Sequence, residues 1–176
     1  MDFIPEDIEG DCWIAQILPV PPSTGKQLAA YMRAASMNKF EIPYGLDVHA
    51  AKGSFDQNAK YQPSSDSDGL TCATFVTEML RGACVDLIQE DFWEKTEANV
   101  AWGKAVAKIL SNEGANPLHV AAVEKSAEKG IRVRPYEVAG AASLSREAWP
   151  VSFADSQQPA YEVEAALADC CEDVKT

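Results

Sequence analysis

The chain has 176 residues, of which 47% are apolar, and a formal net charge of −12. That length suits one domain with a substantial core, and no apolar run approaches the ~18 residues of a membrane-spanning helix. The acidic balance excludes nonspecific nucleic-acid and anionic-membrane partners, which need a positive surface.

The N-terminus, Met1 to Asp7, has neither a basic segment nor an apolar run, so no secretory signal is expected and the protein reads as cytoplasmic. Residues 12–18 predict a short strand, ended by Pro19, Pro21 and Pro22, which cannot donate to a ladder. Ser23 or Thr24 is positioned to cap a following helix striped by Leu28, Tyr31, Met32 and Ala35. From Glu41 to Ser67 the chain carries prolines, glycines and a polar run but no periodicity. It therefore predicts a long irregular loop, either functional or a floppy insert.

After that loop, Cys72, Phe75, Val76, Met79, Leu80 and Ala83 recur at helical spacing, and Thr74, Thr77, Glu78 and Arg81 take the opposite face. Asp91 to Glu94 has capping-box spacing, and a helix face through Ala98, Trp102, Ala105, Val106 and Ile109 follows, closed by Gly114. Asn116 and Pro117 stand in the favoured cap and first-turn order for a further helix, lined by Val120, Val123 and Ala127. Ile131 to Arg134 alternates apolar and basic residues and predicts a short strand. Pro135 restarts a helix through Tyr136, Val138 and Ala142. The pattern weakens from Ser145, with Val163, Ala166 and Leu167 marking one last amphipathic helix. The expected organisation is a main domain over 1–145 and a C-terminal extension over 146–176, weakly structured or one short helix.

The five cysteines, at 12, 72, 84, 170 and 171, show no paired spacing of the zinc type. Their odd number suits reduced thiols. Cys84 falls near the buried face of the Cys72 helix, and Cys170–Cys171 sits in an acidic tail, where an inert role is expected. No glycine-rich phosphate loop, paired-carboxylate motif or metal-ligand cluster is visible, so neither cofactor nor metal is expected.

Cys72 stands in the first turn of its helix. Unpaired N–H groups and the helix dipole there favour an anion, as a nucleophilic cysteine requires. The same position also suits a small apolar core residue. The segments Pro43-Tyr44-Gly45 and Asp68-Gly69-Leu70-Thr71-Cys72-Ala73-Thr74-Phe75-Val76 together resemble the NlpC-type branch of the papain-like cysteine peptidases and amidases. That family shows a Pro-Tyr-x-x-Gly segment, a loop, and an Asp-Cys-Ser-Gly-Leu-Val-like helix start. The resemblance covers about a quarter of the chain, and the Gly-Leu-Thr-Cys-Ala-Thr-Phe-Val wording is closest to that of bacterial relatives. Thr71 and Ala73 depart from the family's residues on either side of the cysteine. The resemblance implies an α+β, helix-rich papain-like domain with a small antiparallel sheet. It also implies Cys72 as nucleophile and Tyr44 as the tyrosine beside the thiol.

A cysteine hydrolase needs an imidazole within hydrogen-bond reach of its thiol. The sequence offers only His49 and His119. His119 follows Cys72, the order of unpermuted members, but lies in a predicted helix start. His49 precedes Cys72, the order of permuted members, and has Asp47 nearby to orient its ring. The histidine-bearing strand of the family has no clear counterpart, so it is expected to be missing or divergent. Two functional readings follow. In one, the chain is a cysteine-dependent hydrolase (amidase, peptidase or acyl transfer) acting on a small-molecule or peptide substrate through Cys72. In the other, it is a catalytically inactive papain-like domain that binds a protein partner. Arg132 and Arg134 share a strand face that either grips a carboxylate or stays solvated.

Overall fold

The computed structural model describes residues 4–8, 11–66 and 68–173; the side chains of 4–15 and 170–173 are outside that description. The expectations for the thiols of Cys12, Cys170 and Cys171 therefore concern side chains outside that description.

The expected α+β fold with a small sheet is overturned: the well-described part of the chain is 59% helical, and no sheet forms within it. Among the described residues the strands form only a ribbon at the N-terminus, where β1 (Ile4–Ile8) runs antiparallel to β2 (Asp11–Ala15), and elsewhere there are single bridges at Phe55–Tyr61 and Ile88–Val151. The segment 131–134 is extended but joins no strand. The reason is packing. Val133 is buried and Ile131 packs beside it, both against a helical cluster, so the apolar half of the alternation is met by helices rather than by a sheet face.

Among the described residues seven α-helices carry the structure: α1 (Pro22–Met37), α2 (Val48–Ala51), α3 (Cys72–Gly82), α4 (Glu97–Asn112), α5 (Pro117–Ala127), α6 (Pro135–Ser143) and α7 (Phe153–Asp173). Several begin where local chemistry dictates. Asn116 caps α5 by accepting from Leu118 N, and Pro117 and Pro135 occupy first-turn positions where the missing N–H costs nothing. Two starts differ from expectation. Helix α1 opens at Pro22 without a side-chain cap, so Ser23 and Thr24 lie inside it. Helix α4 is capped by Thr96, whose hydroxyl accepts from Asn99 N, while Glu90–Phe92 forms a separate single turn. The stretch from 41 to 66 is no floppy insert. It contains α2, and Ser54, Phe55 and Ala59 are buried in it.

Helix α3 is the central element, contacting α1, α2 and α6. Its buried residues are Ala73, Thr74, Thr77, Glu78, Met79 and Leu80. The expected division of faces thus rotates: Thr74, Thr77 and Glu78 turn inward, while Cys72 and Val76 are exposed. The polar groups on the buried side find partners. Thr77 Oγ1 donates to Thr74 O at 2.9 Å. Glu78 accepts from Gly53 N at 2.6 Å and pairs with Arg81, which also meets the buried Glu90 and the exposed Asp86. One guanidinium therefore neutralises two buried carboxylates and ties α3 to the turn at 90–92, while Glu78 holds the Gly53 N–H just past α2.

Around α3 the apolar residues form three clusters. One joins Leu80, Leu87, Ile88, Trp93, Val138 and Val151, and a second joins Tyr31, Phe55, Leu70 and Met79. The third fills the α4–α5 hairpin with Leu46, Ala107, Val123 and Ala127. Helix α7 packs on α6 so closely that a Cβ on Gly140 would lie 2.6 Å from Ala160 N.

Removing one partner of a buried charge pair leaves an uncompensated charge, at a cost of about 3–5 kcal/mol. Arg81→Ala should destabilise the protein by about that amount at neutral pH, measured by urea unfolding. Burial holds the Glu78 carboxyl above its ordinary range, against the opposing pull of Arg81. A raised acid stabilises the folded state while protonated and loses that contribution as pH rises through its folded value. The deficit of Arg81→Ala should therefore shrink as pH falls through the carboxylate range. A deficit that is constant with pH would contradict this.

Candidate functional site

The site is built where two distant segments meet. Asp68 is buried, and its carboxylate accepts from Leu46 N at 2.9 Å and from Asp47 N at 3.0 Å. The backbones beside it run against each other: Leu70 N donates to Pro43 O at 3.0 Å, and Gly45 N to Leu70 O at 3.3 Å. No side chain fits between them. A Cβ on Gly45 would lie 2.4 Å from Gly69 N, and one on Gly69 would lie 2.1 Å from Pro43 O. Gly69 also has φ +123, a region that disfavours L side chains. This apposition sets Tyr44 beside the start of α3.

Thr71 and Thr74 then open the helix with a reciprocal cap. Thr74 N donates to Thr71 Oγ1 at 3.1 Å, and Thr71 N to Thr74 Oγ1 at 2.8 Å. Cys72 is the first helical residue, and its thiol is free and exposed. The N–H groups of Cys72 and Ala73 have no acceptor four residues back within the helix, as at every helix start. Beside the thiol, α1, α3 and α6 leave an apolar groove of about 320 Å³, lined among others by Leu18, Met32, Val76 and Val138. Met32 and Val76 also line a second hollow of about 360 Å³ toward Phe40 and Met79.

The Tyr44 phenol is within electrostatic range of both the Cys72 thiol and the Arg132 guanidinium. Its pKa is pushed up, first by partial burial and then by the thiol, with Arg132 opposing. Arg132 stacks over Trp102 with its Cζ 3.7 Å from the ring centroid. The sequence reasoning named Tyr44 but missed its coupling to Arg132, which only the tertiary path of 131–134 creates.

Neither imidazole bonds the thiol. His49 lies on α2 and faces Asp91, Nδ1 to Oδ1 at 3.6 Å. Its neighbour Asp47 does not orient the ring. Instead Asp47 caps α2 through Ala50 N and pairs with Lys129. His119 lies on α5, and its Nε2 meets Tyr44 O at 3.1 Å. The ring thus touches the segment that carries Tyr44 but not Cys72 itself. Cys84 is exposed rather than core: at the end of α3 its backbone turns left-handed, φ +62, and carries the side chain outward. Among the described residues no group of three His, Cys, Asp or Glu side chains could hold a metal ion, and no helix is long and apolar enough to cross a membrane.

Comparison with protein-family models, curated proteins and solved structures finds no match to this chain.

The glycine contact that seats Tyr44 can be tested directly. Gly69→Ala combines an unfavourable φ with a backbone clash, so it should cost at least ~1–3 kcal/mol and alter Cys72 accessibility. Gly53→Ala, at φ +75 with nothing within 4 Å of the new Cβ, should cost only about 1 kcal/mol and leave Cys72 unaffected. Urea unfolding and thiol labelling of the two variants would show the contrast; equal costs would deny the close approach its role.

Proposed function

We propose that the protein is a cysteine-dependent hydrolase or acyl-transfer enzyme with Cys72 as its nucleophile. The observation that carries this reading is the exposed thiol at the first position of a centrally packed helix, at the mouth of an apolar groove and next to Tyr44. The thiolate attacks an acyl carbon, a C–S bond forms, and the carbonyl π electrons move to oxygen. In this reading the N–H groups of Cys72 and Ala73, which have no acceptor within the helix, receive that charge. Collapse expels an amine or alcohol, protonated from solvent, and water then hydrolyses the thioester and restores the thiol. The groove suits an apolar substituent on the acyl group. A relation to the NlpC-type branch rests on residues 43–45 and 68–76, the two segments brought together here by Asp68 and the glycine contact. The free thiols of Cys72 and Cys84 favour a reducing compartment, the cytoplasm.

A second reading is favoured by a specific observation. Both imidazoles are engaged away from the thiol, His49 with Asp91 and His119 with Tyr44 O. In that reading the domain binds a protein partner and does no chemistry.

Two experiments separate the readings. Because both Cys72 and Cys84 are exposed, their labelling can be compared fairly. For a nucleophile, iodoacetamide should modify Cys72 faster than Cys84 near neutral pH, read by peptide mapping. Cys72→Ser should abolish turnover of a panel of activated esters and acyl amides while shifting stability by less than ~1.5 kcal/mol, as a near-isosteric change at an exposed site. Equal labelling together with no Cys72-dependent turnover would leave only the binding reading.

A further inference from the structure

We propose that the groove beside Cys72 binds an uncharged, long-chain secondary amide. Its amide group lies in the hollow that Cys72 and Gln16 line together, and its alkyl chain runs past Met32 and Val76 into the second hollow. As the class of compound acted on, this rests on the reading of Cys72 as the nucleophile; as a binding site, it rests on the cavity alone.

The inference starts from what lines the cavity. The hollow of about 320 Å³ beside the thiol and the hollow of about 360 Å³ toward Phe40 share Met32 of α1 and Val76 of α3 as walls. Each is within the size range of a small-molecule site, and their common walls make them neighbours along one apolar seam. Met32 and Val76 are 42% and 41% exposed, large apolar side chains left to solvent where a ligand chain would cover them. Although 24% of the residues are charged, no charged side chain among the described residues lines either hollow. A charged ligand would lose its hydration there and gain no partner, so the occupant is uncharged. The net charge of −12 disfavours anionic compounds further.

The polar groups along the cavity locate the head of the ligand. In the second hollow they are committed: Ser36 Oγ donates to Arg33 O at 2.8 Å, and Asn38 Nδ2 donates to Asn58 O at 3.3 Å and Ala59 O at 3.2 Å. In the first hollow the polar side chains are those of Cys72 and Gln16. The Cys72 thiol is free. Gln16 donates through Nε2 to Ile17 O at 2.9 Å, while its Oε1 is buried and has no hydrogen-bond partner. A buried acceptor without a donor is a costly exception in a folded protein. A ligand N–H supplies the missing donor. The molecule that fits therefore has no charge, one N–H in the hollow that the thiol lines, and an alkyl chain. A secondary amide meets all of these conditions, and its carbonyl carbon is what a thiolate attacks. An alcohol would offer the donor but no acyl carbon. As the C–S bond forms the C–N bond breaks, the amine leaves with a proton from solvent, and water releases the carboxylic acid from the thioester.

The test uses the full-length protein and stable amides that need not be turned over. N-ethyloctanamide and N,N-dimethyloctanamide are isomers, and only the first has an N–H. At saturation, N-ethyloctanamide should slow iodoacetamide labelling of Cys72 several-fold and leave Cys84, which does not line the groove, unchanged. The dimethyl isomer should need a several-fold higher concentration for the same effect, the loss of one hydrogen bond. Gln16→Met should erase that difference. Octanoate, of similar length but charged, should protect least. Val76→Glu sets a charge in the wall common to both hollows and should weaken protection by N-ethyloctanamide, with a melting curve to show that the variant folds. The comparison of the two isomers on the wild type needs no variant at all. No protection by N-ethyloctanamide, equal protection by its isomer, a difference that survives Gln16→Met, or equal protection by octanoate would overturn the assignment. The hydrolase reading fails separately, because octanoyl 4-nitroanilide, a chromogenic secondary amide of the same chain, reports turnover. Discrimination between the isomers without Cys72-dependent release of 4-nitroaniline leaves an amide-binding groove in a domain that does no chemistry. Release without discrimination keeps the enzyme and removes the assignment of the groove.

Discussion

One buried carboxylate organises the molecule. Asp68 accepts two amide N–H groups, from Leu46 and Asp47, and so pins a segment 21 and 22 residues away in sequence. Everything near the site inherits its position from that clamp. Leu46 is delivered into the α4–α5 hairpin, where it packs with Ala107, Val123 and Ala127. Asp47 is turned so that its own carboxylate caps α2 and reaches Lys129, just past the end of α5. On the other side, Asp68 leads through Gly69 into the Thr71–Thr74 cap of α3. A buried acceptor that satisfies two otherwise orphaned donors avoids a penalty of about 1–3 kcal/mol for each. The clamp thus joins elements that share little direct apolar contact.

A second set of buried charges works in parallel. Glu78 and Glu90 would each be costly alone in the interior. Arg81 serves both, and Gly53 N adds a further donor to Glu78. The consequence is mechanical as well as energetic. Because Glu78 and Arg81 reach Gly53 N and Glu90 outside the helix, α3 is held in one rotation, and that rotation presents Cys72 and Val76 outward to the groove.

The chemistry of the site follows from this geometry. A free thiol and a phenol lie near one helix start, while the two imidazoles serve elsewhere. His119 even contributes to the site indirectly, by contacting the backbone of Tyr44.

The sequence by itself determined the elements whose signals are local. Asn116 with Pro117, and Pro135, mark helix starts because capping and the proline ring act within a turn. Cys72 at the opening of its helix was legible for the same reason. What only the tertiary structure decided is everything that depends on which distant surface an element meets. Residues 131–134 alternate like a strand, yet they pack on helices and join no sheet, because alternation specifies a two-faced segment and not its partner. Glu78 reads as solvent-facing until Arg81 and Glu90 are seen to enclose it, since a charge is buried only where another charge waits. Cys84 follows the apolar spacing of α3, but the left-handed turn that ends the helix swings it out. His49 and His119 were both candidates because sequence order cannot report distance, and the fold spends each on another contact. The carboxylate that pins Leu46 and Asp47, and the stacking of Arg132 over Trp102, are long-range contacts between segments with no periodic or spacing signature. For that reason the position of the thiol was readable from the chain, and its neighbours were not.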